Sequence, residues 1–317
     1  MWVEAVPNLI TGELRTWAAV SSVSSIRVPG YWTHKAGTTI KVAEPPMPGE
    51  KVIYSLHGGG YTQLSAHPSD IVANIVYGLL AHVDSIHRVF SLEYRLSVKK
   101  PLKLAHPFPA ALLDALAGYN YLVNVVGFFP SDIIVEGDSA GGNLALALTR
   151  YLVEYQSVPH INLPAPPNAL ILLSPWCDVG TSHDTPETSS FLKSDVERYK
   201  EVDDGKEAFL GPHGLGAAEI NRYISPASLH PSMTLDFKGF PRTFITAGGA
   251  ELLLDQIRVL KERMANDLGE GNGVQEGEGK VRYYEAKDAV HDYLVFTWHE
   301  PEREETFREI AKWVSGT

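Results

Sequence analysis

Six short apolar runs punctuate the chain at wide intervals, each bounded by Gly, Pro or polar residues. They are Lys51–His57 (KVIYSLH), Val89–Tyr94 (VFSLEY), Asp132–Gly137 (DIIVEG), Ala169–Ser174 (ALILLS), Arg242–Ala247 (RTFITA) and Val281–Ala286 (VRYYEA). Their β-branched, leucine and aromatic content, nearly continuous rather than alternating, predicts strands covered on both faces. Apolar positions at helical spacing predict helices over Ser69–Val83, Pro109–Val125, Asn143–Tyr155, Glu251–Leu268 and Glu302–Val314. Strand–helix alternation implies right-handed crossovers and a mostly parallel, doubly wound α/β sheet.

Three stretches break this rhythm. Residues 1–45 contain Trp17, Tyr31 and Trp32 but no clear strand–helix unit. Residues 178–226 are polar, with Gly, Pro and His among Phe191, Leu192, Tyr199, Phe209 and Leu210. So long an insertion between strands is unusual and often functional, for instance as a lid. Residues 269–279 (GEGNGVQEGEG) are acidic, glycine-rich and lack apolar anchors, which predicts a mobile surface loop.

Composition narrows the function classes. The chain has 317 residues, 44% hydrophobic and 21% charged, as expected of one large or two small folded domains rather than a disordered chain. The net charge of −11 argues against nucleic acid or an anionic membrane as the main partner. Cys177 is the single cysteine, so no intrachain disulfide forms, and its apolar surroundings predict a small core residue. Met1–Leu14 lacks the basic-then-apolar pattern of a secretory signal. No apolar run reaches the roughly 18 residues of a membrane-spanning helix. The expected location is therefore cytoplasmic.

The chemistry concentrates in a few segments. Gly137-Asp138-Ser139-Ala140-Gly141 follows the run IIVE and opens the helix NLALALTRYL. A G-x-S-x-G turn between strand and helix presents its serine above the sheet edge, on a crowded backbone that requires glycine two residues either side. The helix N-terminus adds positive potential where an oxyanion forms. His57-Gly58-Gly59-Gly60 ends the first strong strand, and bare glycine N–H groups there can approach a ligand closely. Gly59 and Gly60, with Ala140, are the expected oxyanion donors. His57 is expected to hold the loop's own shape.

A base and an acid should follow the serine in the order Ser…Asp/Glu…His. His291 lies just beyond the last predicted strand, where a loop at the carboxyl edge would reach Ser139. His160, His183, His213 and His230 lie in the loop-rich middle, and His299 lies beyond that loop. Glu251 is the first carboxylate after RTFITA, and Asp255, one helical turn later, is its rival. Neither a P-loop nor a G-x-G-x-x-G finger follows the first strand, which argues against a nucleotide-binding protein.

Taken together, HGGGY, GDSAGG (137–142), Tyr94-Arg95-Leu96, Phe108-Pro109-Ala110-Ala111, Ser174-Pro175-Trp176 and the VHDY segment, in this order from His57 to the C-terminus, resemble the hormone-sensitive-lipase-like family of α/β-hydrolase esterases. The resemblance implies an α/β-hydrolase fold: an eight-stranded, mostly parallel sheet with a helical cap. The cap would come from residues 1–45 and 178–226, and the catalytic core from 46–177 and 227–317. It implies carboxylic ester hydrolysis through an acyl-enzyme, with neither metal nor cofactor. The nucleophile carries over to Ser139, the base to His291, the acid to Glu251 and the oxyanion donors to Gly59, Gly60 and Ala140. The chain departs from the family where Glu251-Leu252-Leu253-Leu254-Asp255 replaces the commoner D-P-L-x-D, and where Ser97-Val98-Lys99 replaces A-P-E.

Tyr61 and Trp176 are the expected substrate contacts, followed by Trp17, Tyr31, Trp32, Phe191 and Phe209. The expected substrate is a small-molecule ester of short to medium acyl chain. The same apparatus could cleave an amide, a formamide or an acetyl group, or transfer an acyl group. Relatives that have lost catalysis and act as small-molecule receptors typically replace the histidine, which this chain keeps. Edge-strand homodimers are common among relatives.

Overall fold

The computed structural model describes residues 1–98, 100–184, 195–196 and 199–316. Its strands are β1 (Trp2–Val3), β2 (Val28–His34), β3 (Lys51–Leu56), β4 (Ile86–Leu92), β5 (Ile133–Asp138), β6 (Ala169–Leu173), β7 (Arg242–Gly248) and β8 (Val281–Ala286). They form one eight-stranded sheet in the order β1-β2-β4-β3-β5-β6-β7-β8. The strands from β4 to β8 across the sheet are parallel, whereas β2 runs antiparallel to β4 and β1 antiparallel to β2. This is the doubly wound α/β sheet that the apolar runs predict.

The helices are α1 (Gly12–Val20), α2 (Ala73–His82), α3 (Ala110–Asn120), α4 (Ala140–Tyr155), α5 (Tyr199–Leu210), α6 (Gly214–Ile220), α7 (Leu254–Leu268) and α8 (Glu302–Ser315). They cover the sheet on both faces. On β3, Val52, Tyr54 and Leu56 join the core beneath α3, α4 and α7, while Ile53 joins the core beneath α2 and α8. Burying one such side chain stabilises the fold by about 1.5–3 kcal/mol. Two-sided burial is why these strands read as unbroken apolar runs rather than alternating ones.

One expectation changes. Residues 1–45 are not solely part of a cap. Val28–His34 lies in the sheet, pairing from Gly30↔Leu92 to His34↔Arg88, and Trp32 packs on Phe90 at 5.0 Å. Pro29 and Gly30 weaken its strand signal, and an antiparallel strand near the sheet edge needs only one apolar face. The segment 269–279 is a surface loop, as its composition predicts, and it is tied to itself by one side chain. The Glu278 carboxylate accepts the backbone N–H groups of Asn272, Val274 and Gln275 at 2.8, 2.9 and 3.1 Å. One carboxylate there replaces the missing apolar anchors.

Within 178–226 lie α5 and α6, and α5 carries Phe209 onto Tyr61, ring centroids 4.0 Å apart. Phe191 and Leu192 lie outside the described residues. Among those residues no helix is long and apolar enough to cross a membrane.

Candidate active site

In a parallel sheet the loops leaving the carboxyl ends of the strands share one edge, where α/β folds place ligands. Here β3, β5, β6, β7 and β8 deliver the segments that begin at His57, Ser139, Ser174, Gly249 and Lys287.

The turn at Ser139 is sharp, with φ 49° and ψ −116°. Its N–H donates to Leu173 O at 2.9 Å, and its carbonyl accepts from Trp176 N–H at 2.9 Å. The flanking glycines allow this approach. A Cβ on Gly141 would lie 1.8 Å from Leu56 O, and one on Gly137 would lie 2.3 Å from Gly141 O. No side chain fits either place.

Ser139 Oγ lies 3.0 Å from His291 Nε2. On the other side of the ring, Glu251 Oε2 lies 3.7 Å from His291 Nδ1. Asp255 turns outward in the first turn of α7 and reaches Arg258 at 3.8 Å. Glu251 is fully buried, His291 is 2% exposed and Ser139 is 7% exposed, so the three are screened from water. Glu251 Oε2 also accepts the Ser174 hydroxyl at 2.5 Å and Gly248 N–H at 3.1 Å.

Burial pushes the Glu251 carboxyl upward, an effect that His291, Ser174 and Gly248 partly offset. Burial alone would lower His291, but the Asp292 and Glu251 carboxylates outweigh it and hold the imidazole well above its ordinary value. Two carboxylates on one ring favour the charged form.

The glycine loop faces the same spot. Gly59 and Gly60 take φ 100° and 58°, a backbone that favours glycine. Among the described residues neither N–H has an acceptor. Ala140 is the first residue of α4, so its N–H has no partner within the helix. The loop is held from behind, where Asp138 Oδ2 accepts Gly58 N–H at 2.9 Å and Tyr94 O–H donates to His57 O at 2.5 Å. The His57 ring stacks on Tyr94 at 4.3 Å, and its Nδ1 lies 2.7 Å from Gly58 O. Burial lowers this imidazole to about 4, which keeps it neutral.

The other histidines serve elsewhere. His213 Nε2 meets Ser21 Oγ at 3.0 Å, His183 Nε2 meets Ala227 O at 3.0 Å, and His299 Nε2 accepts Val290 N–H at 3.4 Å. His160 and His230 are exposed.

Tyr61 and Trp176 are both buried beside the loop, their rings 6.4 Å apart. The Tyr61 hydroxyl donates to Asn143 Oδ1 at 2.7 Å. Trp17 packs against Phe108 and Tyr223, and Tyr31 against His67.

Four residues of this site escape the sequence reading. Ser174 supports the Glu251 carboxylate. Asn143 Nδ2 donates to Trp176 O and Ile224 O, both at 2.8 Å, while its Oδ1 receives Tyr61. Asp195, from the insertion, accepts the N–H groups of Leu252 and His291 at 2.6 and 2.9 Å. Asp292 Oδ2 lies 3.2 Å from His291 Nε2. Asn143 stands out as the first polar residue of an otherwise apolar helical turn, and Ser174 and Asp292 fall within the quoted motifs without their roles being read from them.

This geometry has counterparts. A family model described as alpha/beta hydrolase fold matches residues 53–295, from inside β3 to just past His291. The chain belongs to the α/β-hydrolase family. It is 26% identical over 309 residues to Esterase LipU of Mycobacterium tuberculosis, covering 94% of this chain and 92% of that one. It is 28% identical over 273 residues to an Acinetobacter venetianus protein named Esterase, covering 84% and 75%. Among solved structures, an esterase from the bacterial hormone-sensitive lipase family superposes with a TM-score of 0.68 at 26% identity, covering 91% of this chain and 81% of that one. This α/β-hydrolase is a carboxylesterase-like enzyme of the hormone-sensitive-lipase kind.

Proposed function

We propose that the enzyme cleaves small carboxylic esters of short to medium acyl chain through a Ser139–His291–Glu251 triad. The observation that carries this reading is the 3.0 Å approach of Ser139 Oγ to His291 Nε2, with Glu251 across the ring. Three N–H groups, of Gly59, Gly60 and Ala140, border the same space. His291 Nε2 takes the hydroxyl proton as Ser139 Oγ bonds to the ester carbonyl carbon. The carbonyl electron pair moves onto oxygen, where the three N–H groups stabilise it. As the C–O bond to the alcohol breaks, Nε2–H returns the proton to the leaving oxygen. Water then repeats the sequence on the acyl-enzyme, releasing the acid and restoring the serine.

In this reading residues 46–177 and 227–317 form the catalytic core, and 178–226 with α1 form the cap. Tyr61 and Trp176 form the wall of the acyl pocket, with Phe209 of α5 stacked above Tyr61. A serine 7% exposed beneath such a roof favours short acyl chains. The net charge of −11 suits a neutral ester better than a polyanion.

The test is hydrolysis of p-nitrophenyl esters from acetate to palmitate, with Ser139→Ala as control. Serine-dependent cleavage peaking at short chains is expected. A peak at palmitate would remove the confined pocket, and cleavage that survives Ser139→Ala would remove the triad.

A further inference from the structure

Asp292 is used by nothing in the mechanism above, yet its Oδ2 lies 3.2 Å from His291 Nε2, the nitrogen that receives the serine proton. Ser139 Oγ lies 3.0 Å from the same atom. The contact is built by the backbone. Asp292 takes a left-handed φ of 50°, which an aspartate tolerates, and its N–H points to Ser174 Oγ at 3.4 Å. Its Oδ1 is buried without a hydrogen-bond partner among the described residues. A lone carboxylate beside the Nε2 lone pair of a neutral imidazole is repelled, whereas beside Nε2–H it is attracted. We propose that Asp292 is a second carboxylate partner of the base, sharing the Nε2 proton with Ser139 Oγ, so that the enzyme rests as an imidazolium and becomes competent only once that proton has left for solvent.

This inference rests on the triad reading. Its chemistry is one proton. While Nε2 carries hydrogen, it cannot accept the hydroxyl hydrogen of Ser139. Once Nε2 is free, the imidazolium formed by taking the serine proton is stabilised by Glu251 on one side and Asp292 on the other. The same carboxylate therefore closes the site in acid and assists it in base.

The groups facing the ring support a single direction. Glu251 approaches from the turn after β7, and Ser139 from the elbow. Asp195 reaches the His291 backbone N–H from the insertion. Glu136 and Asp138 of β5 are fully buried in the field of Asp292, and Cys177 in that of Glu251. Burial, with the Asp292 charge behind it, pushes the Glu136 carboxyl up to about 8 and that of Asp138 well above its ordinary range. Both thereby hold protons more readily, while Asp292 and Glu251 act on the imidazole.

The experiment is the pH profile of kcat/KM on p-nitrophenyl acetate for the wild-type enzyme, Asp292→Asn and Asp292→Ala. Asn also tolerates left-handed backbone, so the loop is kept. Losing a carboxylate within 4 Å should move the acid limb down by about 1 to 3 pH units. On the wild-type acid limb, each variant then reaches at least about a tenfold larger fraction of its own plateau. An acid limb that does not move overturns the proposal. NMR titration of His291 in Ser139→Ala, with the ring signal identified by its loss in His291→Gln, reads the same proton without turnover. The midpoint should fall when Asp292→Asn is added, and an unchanged midpoint overturns the proposal. Serine-dependent turnover with an unmoved limb removes Asp292 alone, whereas turnover that survives Ser139→Ala removes the triad and Asp292 together.

Discussion

Glu251 and Asp255 are one helical turn apart in sequence, and their environments separate them. Glu251 is buried beside His291, and Asp255 is half-exposed beside Arg258. Glu251→Gln should leave the fold intact and lower kcat on p-nitrophenyl acetate by about a thousandfold or more. Asp255→Asn should change it little. Near-normal turnover in Glu251→Gln would return the acid role to Asp255. The sequence leads to Ser139 and His291 because each stands at a predicted element boundary, in an order that the chemistry requires. It does not lead to Ser174, Asp195 or Asp292. Ser174 matters through a single hydroxyl, and Asp195 through two backbone N–H groups that converge only after folding. Asp292 lies within the VHDY segment, but its approach to His291 depends on a left-handed backbone turn that the sequence alone does not show.

Elements carry the same lesson in their packing. The inner parallel strands were legible because burial on both faces leaves an apolar run; the edge strand β8, whose expected and observed bounds are both Val281–Ala286, is only partly buried and was marked by its valine and tyrosines. The strand β2 was hidden by Pro29 and Gly30, and α5 by its polar composition. At the elbow, Gly141→Ala would bring a methyl group against Leu56 O. Urea denaturation should show a loss of about 3 kcal/mol or more, with turnover gone. In α5, Phe209 stacks on Tyr61 and lies edge-on to Phe108 at 5.7 Å. Phe209→Ala should cost about 3 kcal/mol. It should also shift the acyl-chain preference toward longer p-nitrophenyl esters, because the roof of the proposed pocket loses a ring. An unchanged chain-length profile would take Phe209 out of that pocket.

The whole molecule registers acid through buried histidine. Burial lowers His57 from 6.5 to about 4 in the folded state. As pH falls from 6.5 toward 4, the unfolded chain takes the proton first, so stability declines across that window. Folding stability should fall by about 3 kcal/mol from this residue alone. Thermal unfolding measured from pH 7 to pH 4 should show a shallower decline in His57→Gln. An identical slope would mean that other groups set the acid limit.

The Asn143 side chain joins stretches of chain that are far apart in sequence: Tyr61 on one side, Trp176 and Ile224 on the other. A growing polypeptide that has emerged only as far as the end of α4 already holds Ser139 and the glycine loop. Its Asn143 amide has nothing yet to donate to, and neither Glu251 nor His291 has been synthesised. Contacts of such sequence separation form late, because the intervening loops must close first. If the proposed triad holds, hydrolysis during synthesis waits until His291 has been added and the turn after β8 (Val281–Ala286) has brought it to Ser139.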